Sequence, residues 1–119
     1  MIRGTGCDLI EIVRFKVKRN KKEFLNQYLA PKEMRRHTKK QSKDCFLALC
    51  FAEKEAILKA LGCGLHYGSY WRDIELRKGS KVKLSGFLAN CASAKAVTTV
   101  YTARCYSKKL ALALALIEE

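Results

Sequence analysis

An α+β fold, with an antiparallel sheet packed on one long central helix, is what this sequence predicts. Residues 42–61 repeat apolar side chains at intervals of three and four, the pattern of a helix with a wide buried face. Residues 2–10 and much of the chain after 72 read instead as short alternating strands separated by turn residues. Neither a Pro/Gly/Ser-rich linker nor an internal repeat divides the 119 residues, and the 49% hydrophobic content suffices for one core, so a single domain is expected over residues 1–119.

The first strand is expected over Ile2–Ile10, where Gly4 and Gly6 mark a bulge or a place where another backbone comes close. A polar, basic helix should follow from about Ile12, and a second should end at Tyr28. Pro31, the only proline, suits the first turn of another short helix, where its missing N–H would have no partner anyway. Ser42–Leu61 is the strongest helical signal, with Phe46, Leu47, Cys50, Phe51, Ile57, Leu58 and Leu61 on one face. Gly62 and Gly64 supply its stop, because glycine readily takes the left-handed conformation that closes a helix. Asp73–Arg77 and Lys81–Leu84 alternate around a turn at Lys78–Ser80, and Ser85 opens a helix over Phe87–Lys95. Val97–Cys105 and Leu110–Ile117 then form a hairpin turning at Ser107–Lys109. Leucine and alanine alternate along its last strand, large side chains on one face and small on the other, which suits a strand covered on both sides.

Lys and Arg total 24 against 11 Asp and Glu, for a formal charge of +13. Such an excess favours polyanions: nucleic acid, an anionic membrane, a phosphate-rich cofactor or an acidic protein. Charge alone does not rank these. The cations are dense in 16–22 and 32–43 but recur at Lys78, Lys81 and Lys83, so they are not a detachable tail. No run of about 20 apolar residues predicts a membrane span, and no basic strand is interleaved with aromatics for stacking on bases. Neither a membrane nor a nucleic acid is therefore expected as partner. The six cysteines contain no C-x-x-C pair, neither His37 nor His66 completes a zinc-finger spacing, and nothing at the start reads as a signal peptide. Reduced thiols in a cytoplasmic protein are the expectation, with Cys50 and Cys91 acting as small apolar residues.

Two places set polar chemistry in apolar surroundings. Asp8 interrupts the first strand, and Glu55 and Lys59 lie one turn apart in the long helix, on one face of it. Singly, each has an ordinary structural reading: a cap or backbone-amide ligand for Asp8, a solvated ion pair for Glu55–Lys59.

Together these residues resemble the 4′-phosphopantetheinyl transferase family, in its short trimeric branch. The family opens on a strand of the form G-x-D-(L/I)-x-x-x-x-R, matched by Gly6, Asp8, Leu9 and Arg14. Its second signature, F-x-x-K-E-A-x-x-K-A, is matched by Phe51, Lys54, Glu55, Ala56, Lys59 and Ala60. Gly62-Cys63-Gly64 and Asp73-Ile74-Glu75-Leu76 also fit the family pattern, and the resemblance runs over essentially the whole chain. It implies transfer of 4′-phosphopantetheine from coenzyme A to a serine of apo-acyl carrier protein, with release of adenosine 3′,5′-bisphosphate. Mg²⁺, which prefers one or two carboxylates, waters and phosphate oxygens, would be held by Asp8 and Glu55 against the diphosphate. Asp8, Glu55 and Lys59 are then the catalytic set, Lys59 at the diphosphate and Glu55, directly or through water, accepting the serine proton. Lys54, Lys59, Gly62, Gly64 and Arg104 fall to coenzyme A. Arg14, with Arg19, Lys21 and Lys22 in the basic field beside it, falls to the acidic carrier protein. The branch also implies a homotrimer with sites between subunits.

The chain departs from the family twice. Cys50 stands where many relatives carry arginine, and Tyr106 where a histidine would fall. The resemblance puts both near the adenosine end of coenzyme A, so Arg104 or a lysine of the 39–43 region is expected to take over the 3′-phosphate.

Overall fold

The computed structural model describes residues 1–16, 21–40, 42–63 and 71–119. Strand β1 (Ile2–Glu11) leads into a 3-10 turn, Ile12–Phe15, where the sequence suggested a longer helix. Helices α1 (Lys22–Tyr28) and α2 (Pro31–Thr38) follow, with Pro31 in the first turn of α2. Helix α3 (Lys43–Leu61) begins after Ser42 and ends at Gly62, whose φ of 73° is the left-handed closure expected of it. A 3-10 turn at Trp71–Asp73 precedes β2 (Ile74–Leu76), which pairs with β3 (Val82–Leu84) across a turn at Lys78–Ser80. Helix α4 (Gly86–Ala94) and the hairpin β4 (Thr99–Tyr106) and β5 (Leu110–Glu118) complete the order.

The main sheet is antiparallel in the order β1-β5-β4, and it packs against α3 as the sequence predicts. Thirteen of the nineteen residues of α3 are buried, so the helix is enclosed on nearly every side rather than along one stripe. Two glycines let β1 lie on it: a Cβ at Gly4 would collide with the Ala60 carbonyl, and one at Gly6 with the Ala56 carbonyl. Only a side chain of one hydrogen fits at either place.

The side of α3 away from the sheet holds a buried ion pair. Lys54 Nζ lies 2.6 Å from Glu33 Oε1, and both side chains are fully buried. Lys54 also donates to the Tyr28 carbonyl at 2.7 Å, while Glu33 accepts from the Ala30 N–H at 2.9 Å and the Leu76 N–H at 2.6 Å. One pair thus ties α3 to the end of α1, the start of α2 and β2, with each charge hydrogen-bonded as burial requires.

Strand β5 corrects one expectation. Its alanines Ala111, Ala113 and Ala115 are buried, whereas Leu114 is 52% exposed. The small residues face α3 because the helix lies close, which leaves a leucine face open on the other side of the sheet. Leu9 and Tyr101, 60% and 48% exposed, continue that apolar face onto β1 and β4. Only one side of the strand is therefore covered within a single chain.

Candidate active site

Between Phe46 and Leu61, the only residues of α3 that are not buried are Phe51, Glu55 and Lys59. They sit four apart and so form one line along the helix. Strand β1 runs beside this line. Two strand residues span about 6.7 Å and four helix residues about 6 Å, so the Gly4–Ala60 and Gly6–Ala56 contacts set a register that carries Asp8 to the level of the next helical turn. The glycines that let the strand lie close therefore also deliver a carboxylate to the open stripe.

Lys59 reaches across to that carboxylate. Its ammonium donates to Asp8 Oδ1 and to the Cys7 carbonyl, each at 3.0 Å. The hydrogen bond to Asp8 raises the Lys59 pKa above the ordinary lysine value, and the negative charges of Asp8 and Glu55 add to the effect. Both carboxylates thus act on one ammonium, although Asp8 and Glu55 lie on different elements. Glu55 accepts from the indole N–H of Trp71, Nε1 to Oε1, at 3.0 Å. Among the described residues the second oxygen of each carboxylate accepts no hydrogen bond, so each has lone pairs for a cation, a water or a substrate proton.

The remaining residues named from the sequence divide. Lys54 does not join the site: its ammonium is enclosed in the pair with Glu33, which corrects its assignment to coenzyme A, since a fully buried, ion-paired charge is out of a ligand's reach. Gly62 closes α3 beside Lys95, which donates to the Leu61 carbonyl. Arg104 pairs with Glu53 at 3.0 Å and keeps 45% of its side chain exposed. Arg14 is exposed on the 3-10 turn after β1, and Lys21 and Lys22 are exposed at the start of α1. Gly64 and Arg19 lie outside the described residues.

Sequence reasoning missed two partners. Glu53, almost buried, accepts from Thr102 Oγ1 and from Arg104, both at 3.0 Å, and so fixes the arginine on β4. The available signal was Thr102 and Arg104 two apart on one strand face, a polar pair calling for a buried acceptor. Trp71 is the second, and nothing local marks its indole as a donor to Glu55. Of the two departures, Cys50 is buried with its thiol pushed up to about 12, chiefly by burial. Tyr106 is exposed and lines a cleft of about 660 Å³ with Lys39, Lys40, Ser42 and Arg104.

Comparison with known proteins bears on this arrangement. The sequence profile of the 4′-phosphopantetheinyl transferase superfamily matches residues 4–115. A holo-[acyl-carrier-protein] synthase of Geotalea daltonii is 31% identical, with both chains covered in full. One of Natranaerobius thermophilus is 34% identical over 98% of each chain. The crystal structure of the Helicobacter pylori holo-[acyl-carrier-protein] synthase in complex with coenzyme A superposes with a TM-score of 0.80, at 27% identity, covering 96% of this chain and 99% of that one.

Proposed function

Because the chain belongs to the 4′-phosphopantetheinyl transferase superfamily, we infer that the open stripe of α3 is its transfer site. The activity is that of a holo-[acyl-carrier-protein] synthase: 4′-phosphopantetheine passes from coenzyme A to a serine of apo-acyl carrier protein, leaving adenosine 3′,5′-bisphosphate. The observation that carries the site is the Asp8–Lys59 ion pair one helical turn from Glu55, each carboxylate with an oxygen that accepts no hydrogen bond among the described residues.

Two carboxylates with open oxygens are the donor set that Mg²⁺ accepts, since it keeps several waters and takes phosphate oxygens for the rest. Asp8 and Glu55 would hold the ion, which when bound neutralises diphosphate charge and polarises the phosphorus. Lys59 places a cation at the diphosphate, where charge accumulates as the bond to the departing bisphosphate breaks. Glu55 takes the proton of the attacking serine, directly or through a water. Gly62, with Gly64 beyond it, belongs to the coenzyme A side of the site. The cleft of Lys39, Lys40 and Arg104 beside Tyr106 takes the 3′-phosphate in place of the missing arginine and histidine. Lys54 acts from behind, fixing the helix that carries Glu55.

The acidic carrier docks on Arg14, Lys21 and Lys22, with Arg19 in the same basic run, which accounts for part of the +13 charge. The exposed Leu9–Leu114–Tyr101 face is the surface through which copies assemble as a homotrimer. A cavity of about 740 Å³ on that face is bordered by Lys59, so a neighbouring subunit there would stand at the edge of the transfer site. Six free thiols, two of them exposed, suit the reducing cytoplasm.

The test is to incubate the protein with coenzyme A, Mg²⁺ and an apo-carrier protein and to weigh the carrier. It should gain the mass of phosphopantetheine, and chelation of the metal should abolish the gain. A folded sample that leaves several apo-carriers unmodified refutes the activity.

A further inference from the structure

Glu55 lacks the partner its position offers. Lys59, one turn ahead on the same face, is the usual ion-pair partner of such a glutamate, yet its ammonium goes to Asp8 and the Cys7 carbonyl. What holds Glu55 instead is the indole N–H of Trp71, at 3.0 Å on Oε1. We propose that Trp71 is the positioning residue of the transfer site: it fixes the Glu55 carboxylate through Oε1, leaving Oε2 without a hydrogen bond among the described residues, and does not neutralise its charge. The inference rests on the assignment of Glu55 to the metal and the serine proton.

The nature of the donor matters. A lysine or arginine on Glu55 would compete with any cation for the same negative charge. A neutral N–H orders a side chain with several rotatable bonds while leaving that charge available. The indole is itself held in place. Its ring lies 5.6 Å from that of Tyr28, edge-on, and 6.1 Å from that of Phe51. Tyr28 is fully buried and Phe51 begins the same open stripe, so Trp71 bridges the core and the site. The backbone of its turn is tied down at Asp73, whose carbonyl accepts the Ser85 N–H at 2.9 Å, anchoring it to the start of α4. A donor placed this firmly can set the orientation of a carboxylate; a donor on a loosely held side chain would merely follow it.

The chain contains one tryptophan, so its fluorescence reports on the surroundings of this indole, Glu55 among them. Titrating the full chain with Mg²⁺ should change the tryptophan emission, saturating over the range of Mg²⁺ that activates carrier modification. Glu55→Gln should abolish the response. Trp71→Phe keeps a ring in the cluster and removes the N–H. It should raise the Mg²⁺ needed for half-maximal rate by about 10- to 100-fold, leaving the apparent KM for carrier within about twofold. The inference is overturned if the emission is indifferent to Mg²⁺, or if a folded Trp71→Phe keeps the wild-type Mg²⁺ requirement. Should Trp71→Phe fail to fold, the titration of the wild type against Glu55→Gln decides by itself. The carrier mass decides the activity separately: an emission response without carrier modification upholds the Trp71–Glu55 coupling and sinks the transferase reading.

Discussion

Lys54 and Glu55 are neighbours in the chain, yet they point about 100° apart around α3, into clusters that water reaches very differently. On the inner side Lys54 and Glu33 are wholly buried, and between them they make four hydrogen bonds of 2.6–2.9 Å to one another and to three backbone groups. On the outer side Lys59 keeps 53% of its side chain exposed, Asp8 is partly buried, and two carboxylates have oxygens with no partner among the described residues. Desolvation explains the contrast. A dry charge is tolerated only when its hydrogen bonds are satisfied, so it has no capacity left for a ligand. A wet carboxylate can exchange its waters for a cation, and a wet ammonium such as that of Lys59 its waters for a phosphate oxygen. The same residue types thus make a fastener in one place and, in the other, leave oxygens open to a ligand among the described residues.

The largest expected effect separates the two by activity. Glu55→Gln keeps the shape of the side chain and the acceptor for Trp71 while removing the charge. Carrier modification should fall about a thousandfold or more, the scale of a lost transition-state electrostatic contact. The melting temperature should hold or rise, because two carboxylates near each other repel in the absence of a cation. Asp8→Asn should lose activity alike, with a stability cost of no more than about 1 kcal/mol for its ion pair with Lys59. A loss of activity only in proportion to lost folded protein would show that the outer cluster is structural like the inner one.

The next effect separates them by stability. Lys54→Met leaves Glu33 buried without its countercharge and should destabilise the fold by about 3–5 kcal/mol. Urea unfolding monitored by far-UV circular dichroism measures it. The double variant Lys54→Met with Glu33→Gln should recover much of the loss, since no uncompensated charge then remains. An additive double variant would mean that Lys54 contributes by packing and not by charge.

These differences also mark where the sequence was readable. Elements whose pattern is local were legible: β1 with its two glycines, the span of α3 from Ser42 to Gly62, Pro31 in the first turn of α2, and the β4–β5 hairpin. That Glu55 and Lys59 share one open stripe was legible from their four-residue spacing, and the family motifs singled out Asp8, which pairs with Lys59. What was not legible depends on contacts distant in sequence. Lys54 reads as one more motif cation until α2 brings Glu33, 21 residues away, over it. Trp71 lies 16 residues from Glu55 and Thr102 lies 49 from Glu53, and no periodicity links either pair. The β5 alternation told which residues share a face, but not that the alanines would be the buried set. That was decided by how closely Gly4 and Gly6 let the helix approach.

The smallest expected effect sharpens the contrast most, because it applies one substitution to both lysines. Lys59→Met should cost no more than about 1 kcal/mol of stability, the range of an ion pair that water reaches. Salt should shrink that cost, whereas the Lys54→Met penalty should hardly change, since screening acts on exposed charges and little on buried ones. The pH dependence has a definite sign. The Lys59 pKa is raised in the folded state above 10.5 by its hydrogen bond to Asp8, so its contribution is fully present below the ordinary lysine range and is lost as pH climbs through the raised value. The wild type and Lys59→Met should therefore differ most near neutral pH in low salt and converge in strongly alkaline solution. On the proposed placement of Lys59 at the diphosphate, turnover should drop far more than stability does. A Lys59→Met penalty of 3 kcal/mol or more that salt leaves unchanged would mean that the outer cluster is as dry in solution as the inner one, and the division of α3 into a fastening side and a reacting side would fail.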